Sequence, residues 1–539
     1  MTDEVPPVVI VGGGPVGLSL AEELAFHHVR VVVVEPRAAV DHSRPRAKTT
    51  SVRTMEHFRR WGIADQLREK APLRGDWSQR VTFVQTVTGR EITHVDGCLG
   101  LDAPPELSPE PAQQVTQPLV EELLRADLAN RQGVELLWGW QAIEVSDGPD
   151  HAEVVVVNDA GEQRTIAARW VAGADGPRSV VRRAMGAHYE GAAAGRPNVN
   201  ITFRSTRLAD LIPHPGSIHY WVLNPESPGV VGPLDHDGTW WAISTGTPHV
   251  DDVEHAAEIV RALVGADIDV DVLATDPWQA RTLLANTYRA GHLFIVGDAA
   301  HQNPPWGGHG FNTGVGDAVN LGWKLAAVID GWAPDELLDS YGSERRPVEQ
   351  QTIDLASSNM ASLSIDLSNP LLMSSGDAFE AARAELGPVI KRVKSPEFHS
   401  VGLVLGYGYG PHSAEQAPTP AEYSPMIAAG NRLPHRHVDG HSLYDLLGPW
   451  FTAIGSAEAV APLMAEAVSR GIPIVHLESA DASANADADV VLVRPDQHIA
   501  WAGKRTADPG EVLDAAVRGF TPGAPASRTA LVKTTETED

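Results

Sequence analysis

Val8-Val9-Ile10-Val11-Gly12-Gly13-Gly14-Pro15-Val16-Gly17 decides how this chain begins to fold. The β-branched run before Gly12 reads as a buried parallel strand, since a strand covered on both faces needs no polar alternation. Gly12, Gly14 and Gly17 fit the pattern G-x-G-x-x-G. Gly12 permits the tight turn, Gly14 lets the backbone approach a pyrophosphate, and Gly17 lets helix and strand pack closely. Pro15 suits a first helical turn, and Leu18, Leu20, Ala21, Leu24 and Ala25 supply an apolar helix face. The N-terminus of that helix offers unpaired N–H groups and a positive dipole end to phosphates. Val29 to Val34 form a second strand ending at Glu35, 23 residues after Gly12, where an acid accepts hydrogen bonds from ribose hydroxyls. An acid there argues against a 2′-phosphate. Strand, glycines, helix, strand and acid fall in order and predict a βαβ dinucleotide unit, which by itself does not choose between NAD and FAD.

A chain of 539 residues suggests about two to four domains, and an apolar fraction of 43% is enough for packed cores. Lys plus Arg total 42 against 70 Asp plus Glu, a formal charge of −28 that disfavours nucleic acid and anionic membranes as partners. The single cysteine, Cys98, excludes an intrachain disulfide and points to the cytoplasm; it lies in a loop-like stretch with no expected catalytic role. The acidic first residues carry no basic region, so no signal peptide is expected. The early apolar run is broken by glycines and by Glu22-Glu23, short of the ~20 apolar residues that span a bilayer. No metal-ligand cluster is expected.

Periodicity divides the rest of the chain. Residues 51–70 and 117–130 read as helices, and residues 133–175 alternate as strands with turns at Asp147-Gly148 and Asp159-Ala160-Gly161. Thr-, Trp- and Val-rich runs from about 186 to 285 predict a sheet domain. Phe294-Ile295-Val296 returns to buried-strand character, before a Gly/Pro loop and a helix expected from Gly316 to about Asp330. Residues 340–397 are mainly helical, 405–425 form the candidate linker, and 430–520 form a compact α/β unit in which Asp508, Pro509 and Glu511 have the order of a helix cap, first turn and capping-box acid. The tail 522–539 is expected to be disordered.

Three separated segments resemble the single-component FAD-dependent aromatic hydroxylases, the group of p-hydroxybenzoate hydroxylase, phenol hydroxylase and the actinobacterial polyketide hydroxylases. Besides the glycine fingerprint they are Ala174-Asp175-Gly176-Pro177-Arg178-Ser179-Val180-Val181-Arg182 and Gly297-Asp298-Ala299-Ala300-His301, continued by Pro304-Pro305-Trp306-Gly307-Gly308-His309-Gly310-Phe311-Asn312-Thr313-Gly314. Farther on, Asn431-Arg432-Leu433-Pro434, Ser442 to Gly448 and Val493-Arg494-Pro495-Asp496 resemble the thioredoxin-like C-terminal domain of the phenol and polyketide hydroxylases, without a redox Cys pair.

The resemblance implies an α/β fold: a Rossmann-like FAD-binding domain with helical extension (1–75, 112–185 and 286–397), an inserted substrate-binding sheet domain (76–111 and 186–285) and a thioredoxin-like domain (426–521). It implies tightly but non-covalently bound FAD, with NAD(P)H as a transient co-substrate that needs no Rossmann domain of its own. For FAD it points to Gly12, Gly14, Pro15, Gly17 and Glu35; to Arg44, Arg46 and Gln117; to Asp175, Gly176, Gly297 and Asp298; and to Gly308, His309, Gly310, Phe311 and Asn312. Asp298 would hold a ribityl hydroxyl. The Gly-rich loop 307–314 would lie along the ring, and the helix after it would aim its positive end at the N1–C2=O edge, favouring reduction. His309 stands where the family more often has Gln, and Phe311 where it often has Met or Leu.

Flavin carries the chemistry in this group: NAD(P)H reduces it, O₂ adds at C4a, and the hydroperoxide transfers one oxygen to a phenolic or polyketide-like aromatic. Pro304 and Pro305 would wall the reactive face, and His219 and Tyr220 are the candidate catalytic side chains of the substrate sheet, beside Trp221, Trp240 and Trp241. Baeyer–Villiger or ring-cleaving oxygenation on the same scaffold remains open, as does a flavin or ligand binder that does not oxygenate. A homodimer is also left open.

Overall fold

The computed structural model describes residues 8–192, 195–250, 252–410, 420–478 and 488–520. Its first sheet has the strand order Arg289–Ala290, Leu293–Ile295, Trp170–Gly173, Val8–Val11, Val31–Glu35, Val134–Trp138. Neighbours are parallel except at the edge hairpin that joins Arg289–Ala290 to Leu293–Ile295. Every residue of Val8–Val11 is buried, as a covered parallel strand requires. The helix Pro15–Phe26 packs on the sheet and against helices Gly310–Ile329 and Gln117–Leu128. At the first of these crossings a Cβ on Gly322 would stand 2.5 Å from Glu23 Cγ, so the two helix backbones meet closely only because that residue is glycine.

The second sheet has seven strands in the order Asp271–Gln279, Pro197–Arg204, Thr239–Thr245, Gly229–Pro233, His219–Val222, Val81–Val84, Glu91–Val95. Its alternation sorts side chains onto two faces. Tyr220, Val222, Val231 and Trp240 pack under the helix Val253–Val264. Trp221, Trp241 and Phe83 point the other way, toward Trp306 and toward Phe398 at the end of helix Asp377–Phe398. The C-terminal unit is a four-stranded sheet, Ile474–Glu478, Phe451–Gly455, Val490–Val493 and Ile499–Gly503, with helices Ala457–Arg470 and Pro509–Ala516. Asp508 caps the last of these, accepting from the N–H groups of Gly510 and Glu511. Among the described residues no helix is long and apolar enough to cross a membrane.

Two expectations change. Residues 51–70 form two helices, Val52–Trp61 and Ala64–Lys70, because Gly62 adopts the left-handed conformation (φ 84°) and ends the first. The long helix begins at Gly310, six residues before Gly316, so Gly310, Phe311 and Asn312 are helical and not loop. Tertiary bonds overcome the poor helix propensity of this glycine-rich start: Arg345 donates to Thr313 O, and the Asn312 side chain bonds Ser51, Thr54 and Thr49. Cys98 is buried, its thiol pushed up to about 12 by burial, which leaves it inert as a nucleophile. Residues 411–419 of the candidate linker and the tail 522–539 lie outside the described residues.

Buried ion pairs hold the C-terminal unit on the first domain. Arg494 donates to both carboxylate oxygens of Glu344 (2.9 and 2.8 Å), and Lys324 donates to Glu344 at 2.8 Å. Arg53 reaches Asp496 O (2.6 Å) and Gln497 Oε1 (2.5 Å), while Arg432 clasps Glu56 with both Nε and Nη2. Burial opposes ionisation of Glu344, but Arg494 and Lys324 outweigh it and bring its carboxyl down to about 2. Glu344→Ala strands the buried Lys324 and leaves Arg494 with Asp496 alone, and breaking such a pair costs ~3–5 kcal/mol, so the urea midpoint should fall sharply. Because the folded pKa lies below the ordinary 4.5, the stabilisation is complete above that pH and disappears as pH falls toward 2. Equilibrium unfolding against pH should therefore show a shallower acid limb in the variant than in the parent. An unchanged limb would separate Glu344 from the acid stability of the fold.

Candidate active site

Three turns meet at the C-terminal ends of adjacent strands. Gly12 has φ 109°, and a Cβ there would stand 2.3 Å from Ala174 O; at Gly17 it would stand 2.0 Å from Gly12 O. A Cβ on Gly14, by contrast, would meet no atom within 4 Å, which leaves room for a ligand at the start of the helix. That helix has no side-chain cap, so its first N–H groups are free to bind an anion. Glu35 accepts from Gly13 N–H (2.8 Å) with one oxygen and from Arg37 N–H and Nε (2.9 and 2.7 Å) with the other. Arg37 also approaches Glu121 (3.3 Å), to which Gln117 Nε2 donates at 2.9 Å. Gln117 thus braces the Glu35–Arg37 pair through Glu121.

The second and third turns are riveted together by the last residue of the Ala174–Arg182 segment, for which the sequence alone suggests no role. Arg182 donates to Pro177 O (2.8 Å), Ala299 O (2.9 Å) and Tyr189 Oη (2.7 Å), and Tyr189 donates to Asp298 O (2.5 Å). Asp175 accepts from Val180 N–H at 2.6 Å through Oδ2, while its buried Oδ1 has no partner. Burial raises its pKa. Asp298 is exposed to solvent, and the protein packed around its carboxyl raises its pKa. Gly176 (φ 73°) and Gly297 (φ 57°) supply left-handed turns that carry these two acids.

Beneath Gly297 lies a buried charge cluster. Asp317 accepts from Gly297 N–H (3.1 Å), from Arg345 Nε (2.8 Å) and from His301 Nε2 (2.9 Å). Glu349 lies against His301 Nδ1 (3.1 Å) and Arg345 Nη2 (3.0 Å). His301, Asp317 and Glu349 have the spacing of a metal site, but both carboxylates already bind the Arg345 guanidinium. Burial opposes protonation of His301; Glu349 and Asp317 prevail and push it up to about 9. Arg345 also donates to Thr313 O (3.0 Å), so the cluster ties the Gly297 turn to the start of the long helix.

Asn312 uses its whole side chain on protein. Oδ1 accepts from Ser51 N–H (2.8 Å) and Thr54 Oγ1 (2.9 Å), and Nδ2 donates to Thr49 O (3.1 Å) and Gly308 O (2.8 Å). It positions the Gly307–Gly310 loop. At the centre of that loop Gly308 (φ 72°) has no atom within 4 Å of a would-be Cβ. His309 is buried with Nε2 unpartnered, and burial lowers its pKa to about 4. Pro304 is buried and Pro305 exposed. Phe311 is half-buried against the first core. Arg44 and Arg46 lie exposed beside strand Asp271–Gln279, with Arg46 Nε 3.9 Å from Asp276.

The strand His219–Val222 separates the two catalytic candidates. His219 joins an aromatic wall, 5.9 Å from Trp241, 5.6 Å from Phe398 and 6.4 Å from Trp221 between ring centroids. Trp221 in turn lies 5.6 Å from Trp306, inside the Pro304–Gly314 motif. Tyr220 points into the opposite core under helix Val253–Val264, so the structure does not bring it to this wall: adjacent residues of a strand face opposite ways. Trp240 goes with it. Burial, with Lys394 and Lys48 nearby, lowers His219 to about 3, so its imidazole is neutral. Lys48 lies 4.2 Å over the Trp241 ring.

Residues 6–356 match the FAD binding domain family and residues 427–523 the aromatic-ring hydroxylase C-terminal family. The chain is 32% identical to a putative polyketide hydroxylase of Streptomyces halstedii, over 92% of this chain and 93% of the relative. It is also 32% identical to the 4-methyl-5-nitrocatechol 5-monooxygenase of a Burkholderia species, over 95% and 97%. Among solved structures, the rebeccamycin biosynthetic enzyme RebC with reduced flavin superposes with TM-score 0.87 at 30% identity, covering 95% of this chain and 98% of RebC. A ternary complex of aklavinone-11 hydroxylase with FAD and aklavinone superposes with TM-score 0.81 at 25% identity, over 96% and 99%.

The residues fit FAD. The space at Gly14 and Gly308, the unpartnered Asp175 Oδ1 and the exposed Asp298 belong to the three turns and to the loop that follows the third. Asp298→Ala removes a charged hydrogen-bond acceptor worth ~1.5–3 kcal/mol, so FAD affinity should fall by roughly ten- to a hundredfold, read by flavin content after gel filtration and by titration of the apoprotein. Full flavin retention in the variant would remove Asp298 from the cofactor site.

Proposed function

The chain belongs to the FAD-dependent aromatic-ring hydroxylases, and on that footing we propose that it inserts one oxygen atom of O₂ into a phenolic or polyketide-like aromatic at the expense of NAD(P)H. The observation that carries the reading is the wall of His219, Trp221, Trp241, Trp306 and Phe398, which runs without a break into the motif loop Pro304–Gly314. An aromatic substrate would stack or pack edge-on there, gaining ~0.5–1.5 kcal/mol per favourable ring pair beyond the burial of its surface.

When bound, FAD supplies the redox chemistry, accepting hydride from NAD(P)H and delivering oxygen from O₂. Gly12 to Gly17 and the helix that follows would hold its pyrophosphate, Glu35 its adenosine ribose and Asp298 its ribityl chain. Gly308 to Gly310 would let the main chain approach its ring system, with Asn312 keeping that loop in place. Pro304 and Pro305 form a rigid wall that cannot swing into the reaction space. His219, neutral and weakly basic, would accept a hydrogen bond from a substrate hydroxyl and orient the ring; it does not store a proton at neutral pH. The Trp and Phe side chains exclude water from the reacting centre.

The test is a panel of phenols and polycyclic phenols supplied to the holoenzyme with NADH or NADPH. Substrate-stimulated nicotinamide oxidation should yield a product one oxygen heavier with its ring carbons intact. Oxygen found within a C–C bond would replace hydroxylation by Baeyer–Villiger chemistry, and no stimulation by any member would favour a non-oxygenating binder.

A further inference from the structure

Lys48 is a cation without a counter-ion. It is half-buried between Arg46 and strand Thr49–Thr50, and its ammonium donates to Arg46 O at 3.3 Å while lying over Trp241. Among the described residues no carboxylate comes within ion-pair distance of it. The acid that lines the same pocket, Asp276, faces Arg46 at 3.9 Å. Other buried cations have more partners: Arg345 pairs with Asp317, Arg432 with Glu56, Arg494 and Lys324 with Glu344, and Lys394 with Glu397, while Arg182 is held by two backbone carbonyls and the Tyr189 hydroxyl. Withdrawing an ammonium from water without a partner is unfavourable, so a lone one facing a cleft marks a place where the partner is brought from outside. Burial brings Lys48 down to about 8, which leaves most of it charged at neutral pH.

Its position says what that partner is. The ammonium shares Trp241 with His219, at the flavin-motif side of the sheet, so a group that reaches it is borne on a ring lying along the aromatic wall. We infer that Lys48 is a specificity-determining residue that pairs with an anionic oxygen, phenolate or carboxylate, carried by the aromatic substrate. The inference rests on the aromatic reading of the cleft proposed above and adds a charge requirement to it. A cation over the face of Trp241 is also held in place by the ring, so it presents its remaining N–H donors in a fixed direction.

Matched probes test this on the FAD-loaded enzyme. 2-Naphthoate and 2-naphthamide differ in charge and hardly in shape, and 2-naphthol reports its own ionisation by absorbance. The parent should bind naphthoate about tenfold more tightly than naphthamide, or bind naphthol as the naphtholate; the first result assigns a carboxylate and the second a phenolate. Lys48→Met should abolish the preference while leaving naphthamide affinity and flavin content within twofold, and Lys48→Arg should restore part of it. Equal binding of charged and neutral probes by the parent overturns the inference without any variant, as does a preference that survives in Lys48→Met. Loss of flavin in Lys48→Met and Lys48→Arg alike would also overturn it, by placing Lys48 in the cofactor site. If no probe perturbs the flavin spectrum or nicotinamide oxidation, the aromatic reading of the cleft fails, and the charge requirement falls with it.

Discussion

The register of three parallel strands governs everything built on them. Val8–Val11, Trp170–Gly173 and Leu293–Ile295 lie side by side, so the turns that leave their C-terminal ends arrive at one place. Ala174 N–H bonds Val11 O (2.7 Å) and Val296 N–H bonds Gly173 O (3.0 Å), continuing the ladder to the last residue before each turn. The approach of the first two turns is closer than any side chain permits: the Cβ that Gly12 lacks would fall on Ala174 O. A ligand at the carboxyl end of such a sheet is held by backbone and by short side chains from segments far apart in sequence. The long helix Gly310–Ile329 is drawn to the same point through Asp317, which holds the Gly297 N–H from below.

Buried charge does the holding. An acidic chain keeps Arg345, Arg432 and Arg494 almost fully buried, each against carboxylates of another element. Such networks contribute little net stability against an apolar alternative, but they are strict about geometry, because one displaced partner leaves a charge exposed to low dielectric. That strictness is what a cofactor site needs. Asp317, Arg345, His301 and Glu349 fix the floor of the Gly297–Asp298 turn, and Glu344, Arg494, Lys324 and Asp496 fix the C-terminal unit against the same helix. The C-terminal unit, which has no dithiol, is thereby an extension of the flavin scaffold and not a loosely tethered module.

How much of this was legible in the sequence depended on the range of the interaction. Glycines at Gly12, Gly14 and Gly17, the covered strand Val8–Val11 and the Asp508 cap are local, and each could be read from a few neighbouring residues. Glycine propensity argues for a loop at 310–314, yet the long helix already starts at Gly310. The bonds from Asn312 to Gly308 O and from Arg345 to Thr313 O that stabilise a helix there come in part from residues distant in sequence. His219 and Tyr220 look equivalent as neighbours; only the strand's pairing decides which one faces the aromatic wall. Arg53 and Gln497, 444 positions apart, meet through folding alone.

The distinction between scaffold and site can then be drawn from hydrogen bonding rather than from motif membership. Asn312 belongs to the motif with the most specific pattern, yet all its side-chain capacity is used on Ser51, Thr54, Thr49 and Gly308, so it shapes the site without offering it a bond. Arg182 does the same for the two acidic turns. Asp298, the free oxygen of Asp175, His219 and Lys48 are the opposite case: polar groups held in crowded surroundings with capacity left over. A folded protein pairs nearly all of its buried polar groups, so leftover capacity beside the motif turns is where a ligand would form its bonds. At the dinucleotide end that capacity is anionic and accepts from hydroxyls; at the aromatic end it is a neutral imidazole and a cation. On the proposed function, that change in chemistry matches a sugar chain to be held at one end and an electron-rich ring to be oriented at the other.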